Sequence, residues 1–105
     1  MKLIDITTKN FEEEVIKSSD LVLVDFNANW CGPCRMLKPV LEELADKSKD
    51  YKIVSVDVDD NEDLAARYGI SSIPCLILFK DGVEKTRVIG LRSKSEIESI
   101  LKGDY

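Results

Sequence analysis

Short apolar runs alternate along the chain with segments whose apolar residues recur every three or four positions, the two patterns that distinguish buried strands from amphipathic helices. Residues 2–6 predict a short first strand. Thr7 and Thr8 are candidate N-caps for a helix carrying Phe11, Val15 and Ile16 and ending near Ser18-Ser19. Leu21-Val22-Leu23-Val24-Asp25-Phe26 is apolar and β-branched, and it predicts a buried strand over 21–28. Met36, Leu37, Val40, Leu41, Leu44 and Ala45 then predict a long helix over 32–49, kinked at Pro39. Ile53, Val54, Val56 and Val58 mark a third strand, and Asp59-Asp60-Asn61 supplies turn and cap residues for a short helix ending at Tyr68-Gly69. Ser71-Ser72-Ile73-Pro74 interrupts the pattern before the apolar strand Cys75 to Phe79. Asp81-Gly82 signals a two-residue hairpin into a last strand from Val83 to Ile89. Ser93-Lys94-Ser95-Glu96 is a capping box opening a final helix through Ile97, Ile100 and Leu101.

The order βαβαβαββα places the chain in the α/β class. Crossover helices imply parallel strand pairs, and the hairpin implies one antiparallel pair, giving a mixed sheet with helices on both faces. No linker, repeat or low-complexity stretch divides the chain, and residues 1–105 read as one domain.

Charge narrows the choice of partner. The 15 basic and 20 acidic residues leave a net charge of −5, which argues against nucleic acid. No run approaches the roughly 18 apolar residues of a membrane span. The N-terminal residues do not read as a secretory signal, so the expected compartment is the cytoplasm. There a disulfide is transient and catalytic more often than structural.

Candidate chemistry centres on Trp30-Cys31-Gly32-Pro33-Cys34. Two cysteines at this spacing can close a small disulfide ring and open again, and the placement decides between redox site, metal clip and staple. The chain has three cysteines and no histidine, which excludes a Cys-His nucleophile pair and disfavours a structural zinc site. The pair falls where a predicted strand hands over to a predicted helix. Pro33 suits the first helical turn, where its missing N–H has no partner to lose. Cys31 then sits at the helix N-terminus, where unpaired N–H groups and the dipole favour a negative sulfur.

With this order of elements and these landmarks, the chain resembles the thioredoxin family over almost its whole length. The landmarks are Asp25, Trp30 to Cys34, Pro39, Ile73-Pro74, Asp81-Gly82 and Gly90. The resemblance implies a central mixed five-stranded sheet flanked by four helices. It implies a protein-disulfide reductase that needs no bound cofactor and is recharged by a separate reductase, flavin- or ferredoxin-dependent. Cys31 is the expected nucleophile and more exposed member of the pair. Cys34, inside the first turn and better shielded, would resolve the mixed disulfide. A free thiol of pKa about 8.5 is only a few per cent ionised at neutral pH, and lowering that pKa by about 1.5 units, which makes it roughly half ionised, needs about 2 kcal/mol. A helix terminus supplies about 0.3–1 kcal/mol, so hydrogen bonds to the sulfur from the Cys34 side must add to it. Gly32 and Pro33 tune this geometry. The family pattern assigns Asp25 as a buried proton acceptor for Cys34, its pKa raised by desolvation. Trp30, Ile73, Pro74 and Gly90 would form the docking surface, with a cis Ile73-Pro74 bond and the Ile73 backbone pairing with an extended substrate segment.

Three positions depart from the family. Asn27 stands where many members carry a second tryptophan, and Ser55 where a lysine often neighbours the buried aspartate. Losing that cation leaves the Asp25 pKa higher. Cys75 follows Pro74 where threonine is common; it reads as a small buried hydrophobe, with a third redox thiol as the sharper alternative. The expected function is general disulfide reduction by a monomer, with disulfide-containing proteins as substrates. An isomerase or oxidant of the same fold, or a non-redox binding module, are the alternatives.

Overall fold

The structure, a computed structural model, describes residues 2–105. Its sheet has five strands: β1 (Ile4–Asp5), β2 (Leu21–Asn27), β3 (Tyr51–Asp57), β4 (Cys75–Lys80) and β5 (Val83–Ile89). They lie in the order β1-β3-β2-β4-β5, with β2 at the centre. Four helical segments connect them: a π-helical turn at Glu12–Ile16, then α1 (Gly32–Lys47), α2 (Glu62–Arg67) and α3 (Lys94–Leu101).

β1, β3 and β2 run parallel, as crossover connections require. The expectation of one antiparallel pair is too low, because β4 is antiparallel to β2 as well as to β5. The connection through α2 and residues 69–74 returns the chain to β2 from the opposite end. α2 stops in a Schellman arrangement, in which Gly69 at φ +62° donates to the Ala66 carbonyl and Ile70 to that of Ala65.

The first helix also departs from expectation. Phe11 leads directly into a five-residue π turn, closed by Lys17 N–H donating to the Glu12 carbonyl. Thr7 starts the turn, accepting from Asn10 and Phe11 N–H, but Thr8 spends its own N–H on Asn61 Oδ1 instead of capping. That bond also takes Asn61 away from capping α2, where it makes no side-chain cap. Packing fixes the turn: the Phe11 ring lies 6.0 Å from Phe79 and 5.5 Å from Tyr68, centre to centre. α1 continues unbroken through Pro39 to Lys47.

Alternation along β2 sorts its side chains between two cores. Val22, Val24 and Phe26 join Phe11, Val54 and Phe79 on one face of the sheet. Leu23 joins Leu37, Leu41, Leu44 and Ile97 under α1 and α3 on the other. Fully burying each such side chain stabilises the fold by about 1.5–3 kcal/mol. By the same alternation Asp25 and Asn27 share the face of Leu23 and project under the first turns of α1. In register, Asp25 lies between Ser55 of β3 and Leu76 of β4. A central strand buried on both faces thus delivers a carboxylate to the side where the cysteines begin their helix.

The β4–β5 hairpin closes through Asp81 at φ 52° and Gly82 at φ 76°, the paired positive angles of a type I′ turn. A Cβ at Gly82 would lie 2.7 Å from the Ile16 carbonyl oxygen. Gly82→Ala will therefore destabilise the protein by about 1–3 kcal/mol. Thermal unfolding followed by circular dichroism should show a Tm lower by roughly 4–8 °C per kcal/mol; an unchanged Tm would remove the close approach as a constraint.

Candidate active site

Cys31 is the N-cap of α1, with extended backbone (φ −83°, ψ 111°), and Gly32-Pro33 form the opening turn. Cys31 and Cys34 are joined by a disulfide, their Cα atoms 5.2 Å apart. Cys31 Sγ accepts the Cys34 backbone N–H at 3.2 Å, so one of the orphan donors of the first helical turn is aimed at that sulfur. Any negative charge on Cys31 would meet both this donor and the positive end of the helix dipole. A Cβ at Gly32 would meet only Arg35 Nη2, at 4.0 Å, so space does not demand glycine there.

The expected contrast in exposure is absent. Cys31 is 4 % exposed and Cys34 5 %, and both pack with Ala28, Val58 and Ile73. Ile73 lies close over Cys31, its carbonyl oxygen 3.9 Å from Sγ, and this lid removes the exposure that an N-cap position alone would give. What distinguishes the two sulfurs is their surroundings. Cys31 faces the Ile73 carbonyl, whereas Cys34 lines a cleft of about 570 Å³ together with Asp25, Asn27 and Ser55.

Asp25 is 4 % exposed. Its Oδ2 accepts Asn27 Nδ2 at 3.2 Å, while Oδ1 has no hydrogen-bond partner among the described residues. Desolvation by burial pushes its pKa from 3.8 up to about 7, against the smaller lowering effect of the Asn27 hydrogen bond. Asp25 can therefore hold or release a proton near neutral pH. Ser55 stands directly across from it in the ladder, and no lysine intervenes there.

The remaining site residues do not line this cleft. The Ile73-Pro74 bond is cis, and Gly90 N–H donates to the Pro74 carbonyl at 2.8 Å, which fastens the start of β4 to the end of β5. Gly90 has φ +96°, the left-handed region that suits glycine. Trp30 is 68 % exposed, its indole anchored by Nε1 donating to Asp59 Oδ2 at 2.8 Å. Met36 belongs to the α1 core stripe by spacing alone, yet it is 64 % exposed. Leu91, next to Gly90, is a further exposed apolar side chain. Asp59 is a turn former by type, and nothing in its sequence context signals its bond to Trp30. Cys75 is a buried free cysteine whose thiol pKa is pushed up by that burial, which fits the small-hydrophobe reading.

A thioredoxin family model matches residues 2–103. Thioredoxin from Rickettsia bellii is 46 % identical over 94 residues, covering 89 % of this chain and 90 % of its own. Thioredoxin from Chlamydia pneumoniae is 48 % identical over 96 residues, covering 91 % of this chain and 92 % of its own. In three dimensions a mutant thioredoxin from Halobacterium salinarum superposes with a TM-score of 0.89 at 36 % identity, over 97 % of this chain and 89 % of that one. Matches of this extent, around a cysteine pair already closed as a disulfide, leave one family: the chain belongs to the thioredoxins, and it is a thiol-disulfide oxidoreductase with protein-disulfide reductase activity.

Proposed function

We propose that the protein is a general disulfide reductase in which Cys31 attacks, Cys34 resolves and Asp25 carries the proton. The reduced Cys31 thiolate attacks one sulfur of a substrate disulfide, forming a mixed disulfide and releasing the other substrate sulfur as a thiolate. Cys34 gives its proton to the Asp25 carboxylate, and its sulfur attacks Cys31 Sγ. That breaks the mixed disulfide, frees the second substrate thiolate and leaves Cys31–Cys34 oxidised by two electrons. Gly32 and Pro33 hold the two sulfurs on one helical turn. Trp30, Ile73, Pro74 and Gly90 receive the substrate, with the Ile73 backbone pairing to an extended segment.

The observation that carries this reading is the division of the disulfide between two environments: Cys31 beneath Ile73, and Cys34 on the cleft it shares with Asp25. The family implies disulfide substrates and a reductase that restores the dithiol. We take that reductase to be a separate flavin- or ferredoxin-dependent protein, and the protein to work as a cytoplasmic monomer. No helix among the described residues is long and apolar enough to cross a membrane.

Insulin reduction with flavin- and ferredoxin-dependent reductases as alternative donors will identify the electron source, because turnover should appear with one of them and not without. The redox potential of the Cys31–Cys34 couple is the companion measurement. A value more oxidising than about −180 mV would move the assignment to an isomerase or oxidant.

A further inference from the structure

Asp25 has one carboxyl oxygen tied and one free. Asn27 Nδ2 donates to Asp25 Oδ2 at 3.2 Å, to the Asp25 carbonyl at 2.9 Å and to Ser55 Oγ at 2.7 Å, so it links β2 to β3 beside the carboxyl. Asp25 Oδ1 is buried without a partner among the described residues. The cleft of about 570 Å³ that Asp25, Asn27 and Ser55 line is also bordered by Cys34. It has room for several waters at about 30 Å³ each. Asp5 of β1, Asp57 at the end of β3, Asp60 after it, and Arg35 and Lys38 of α1 are the charged groups around it. Trp30, Ile73, Pro74 and Gly90 are not part of its lining. A buried acid that takes a proton at every turnover must lose it again, and a substrate docked over Ile73 and Trp30 would leave this cleft uncovered.

We propose that Asn27 is a positioning residue that fixes Asp25 through Oδ2, and that the cleft is the path by which Asp25 returns its proton to solvent while substrate is bound. This rests on the reading of Asp25 as proton acceptor. The balance is simple: Cys34–SH and Asp25–COO⁻ become Cys34–S⁻ and Asp25–COOH, and Asp25–COOH then passes the proton to water in the cleft. Here the Asn27 amide and the Ser55 hydroxyl make the side of the carboxyl that faces the cleft polar.

Chemical rescue tests the path. Reduced protein reacting with the disulfide of thionitrobenzoate releases one thiolate when Cys31 attacks and a second when Cys34 resolves. In Asp25→Ala the second release should slow on the order of tenfold to a hundredfold at pH 7. Formate at constant ionic strength should restore it saturably by entering the cleft. Combining Asp25→Ala with Asn27→Trp, which fills the cleft, should abolish the rescue; Ser55→Leu is the second blocking variant, from the neighbouring strand. With Asp25 intact, Asn27→Leu should move the acidic limb of the resolving step to higher pH, because the lost hydrogen bond favoured the carboxylate. Undiminished second release in Asp25→Ala would sink the reading of Asp25 itself. A slowed release without formate rescue, or rescue equal in both blocked variants, overturns the path alone. An unmoved acidic limb in Asn27→Leu overturns the positioning role.

Discussion

Cys31→Ser will abolish disulfide reduction, and Cys34→Ser will stop it one step later, with the substrate held on Cys31. The loss of turnover in both should be on the order of a thousandfold or more, as for removal of any covalent nucleophile. The two losses differ in what accumulates. Cys31 is the sulfur that accepts an N–H of the first helical turn, at 3.2 Å, and lies at the positive end of α1. Its thiolate is therefore the better stabilised of the two. Ile73, whose carbonyl is 3.9 Å away, brings its backbone to that sulfur. Cys34 faces the cleft with Asp25, a place suited to losing a proton after the substrate has docked. Mass spectrometry of Cys34→Ser mixed with an oxidised protein substrate should find a stable adduct, and peptide mapping should place it on Cys31. An adduct that maps to Cys34 in the Cys31→Ser protein, with equal yield, would reverse the assignment.

The asymmetry between these cysteines illustrates which features a sequence carries. The strand-to-helix handover was readable, because β2 is apolar on both faces and α1 repeats its apolar residues every three or four positions. The capping box of α3 is realised in full, Ser93 accepting from Glu96 N–H and Glu96 from Ser93 N–H, since both partners lie within one turn. What the chain did not disclose depends on partners far away along it. Asn61 is a good cap residue by type, but Thr8, 53 positions earlier, claims its side-chain oxygen. The π turn answers to Phe79 and Tyr68 packing on Phe11. β4 joins β2 antiparallel through a connection whose direction no periodicity encodes. At the site, Asp25, Cys31 and Cys34 were legible from motif and strand context. The equal burial of the two sulfurs was not, because Ile73 approaches from 42 positions away. The link from Asn27 to Ser55 likewise crosses between strands and appears only once the β2–β3 register is known.

Asp25→Asn will make the oxidised protein more stable than wild type at pH 8 and leave the two nearly equal at pH 4. Burial lifts the Asp25 pKa from 3.8 to about 7 in the folded protein, while the unfolded chain keeps the ordinary value. Between those values the folded state holds a proton that the unfolded state has lost. Stability must then fall as pH rises through this window, and it levels off above the folded pKa. Each pK unit corresponds to about 1.4 kcal/mol, so the full fall is roughly 4–5 kcal/mol. An asparagine has the same shape and can still accept from Asn27, but it never charges, so its stability lacks this slope. At roughly 4–8 °C per kcal/mol, the variant should melt about 20–30 °C higher at pH 8. Glu43, Asp63, Glu84 and Glu96 have lowered pKa values and act in the opposite sense, losing stability as pH falls toward their range. They are common to both proteins, so the difference between the two melting curves isolates Asp25. Parallel curves from pH 4 to pH 8 would show that Asp25 is not the group that titrates near neutrality. The same substitution should slow the resolving step, because Cys34 loses its proton acceptor. A buried carboxylate that weakens the fold at neutral pH while speeding the chemistry is what a site selected for proton transfer, and not for stability, would contain.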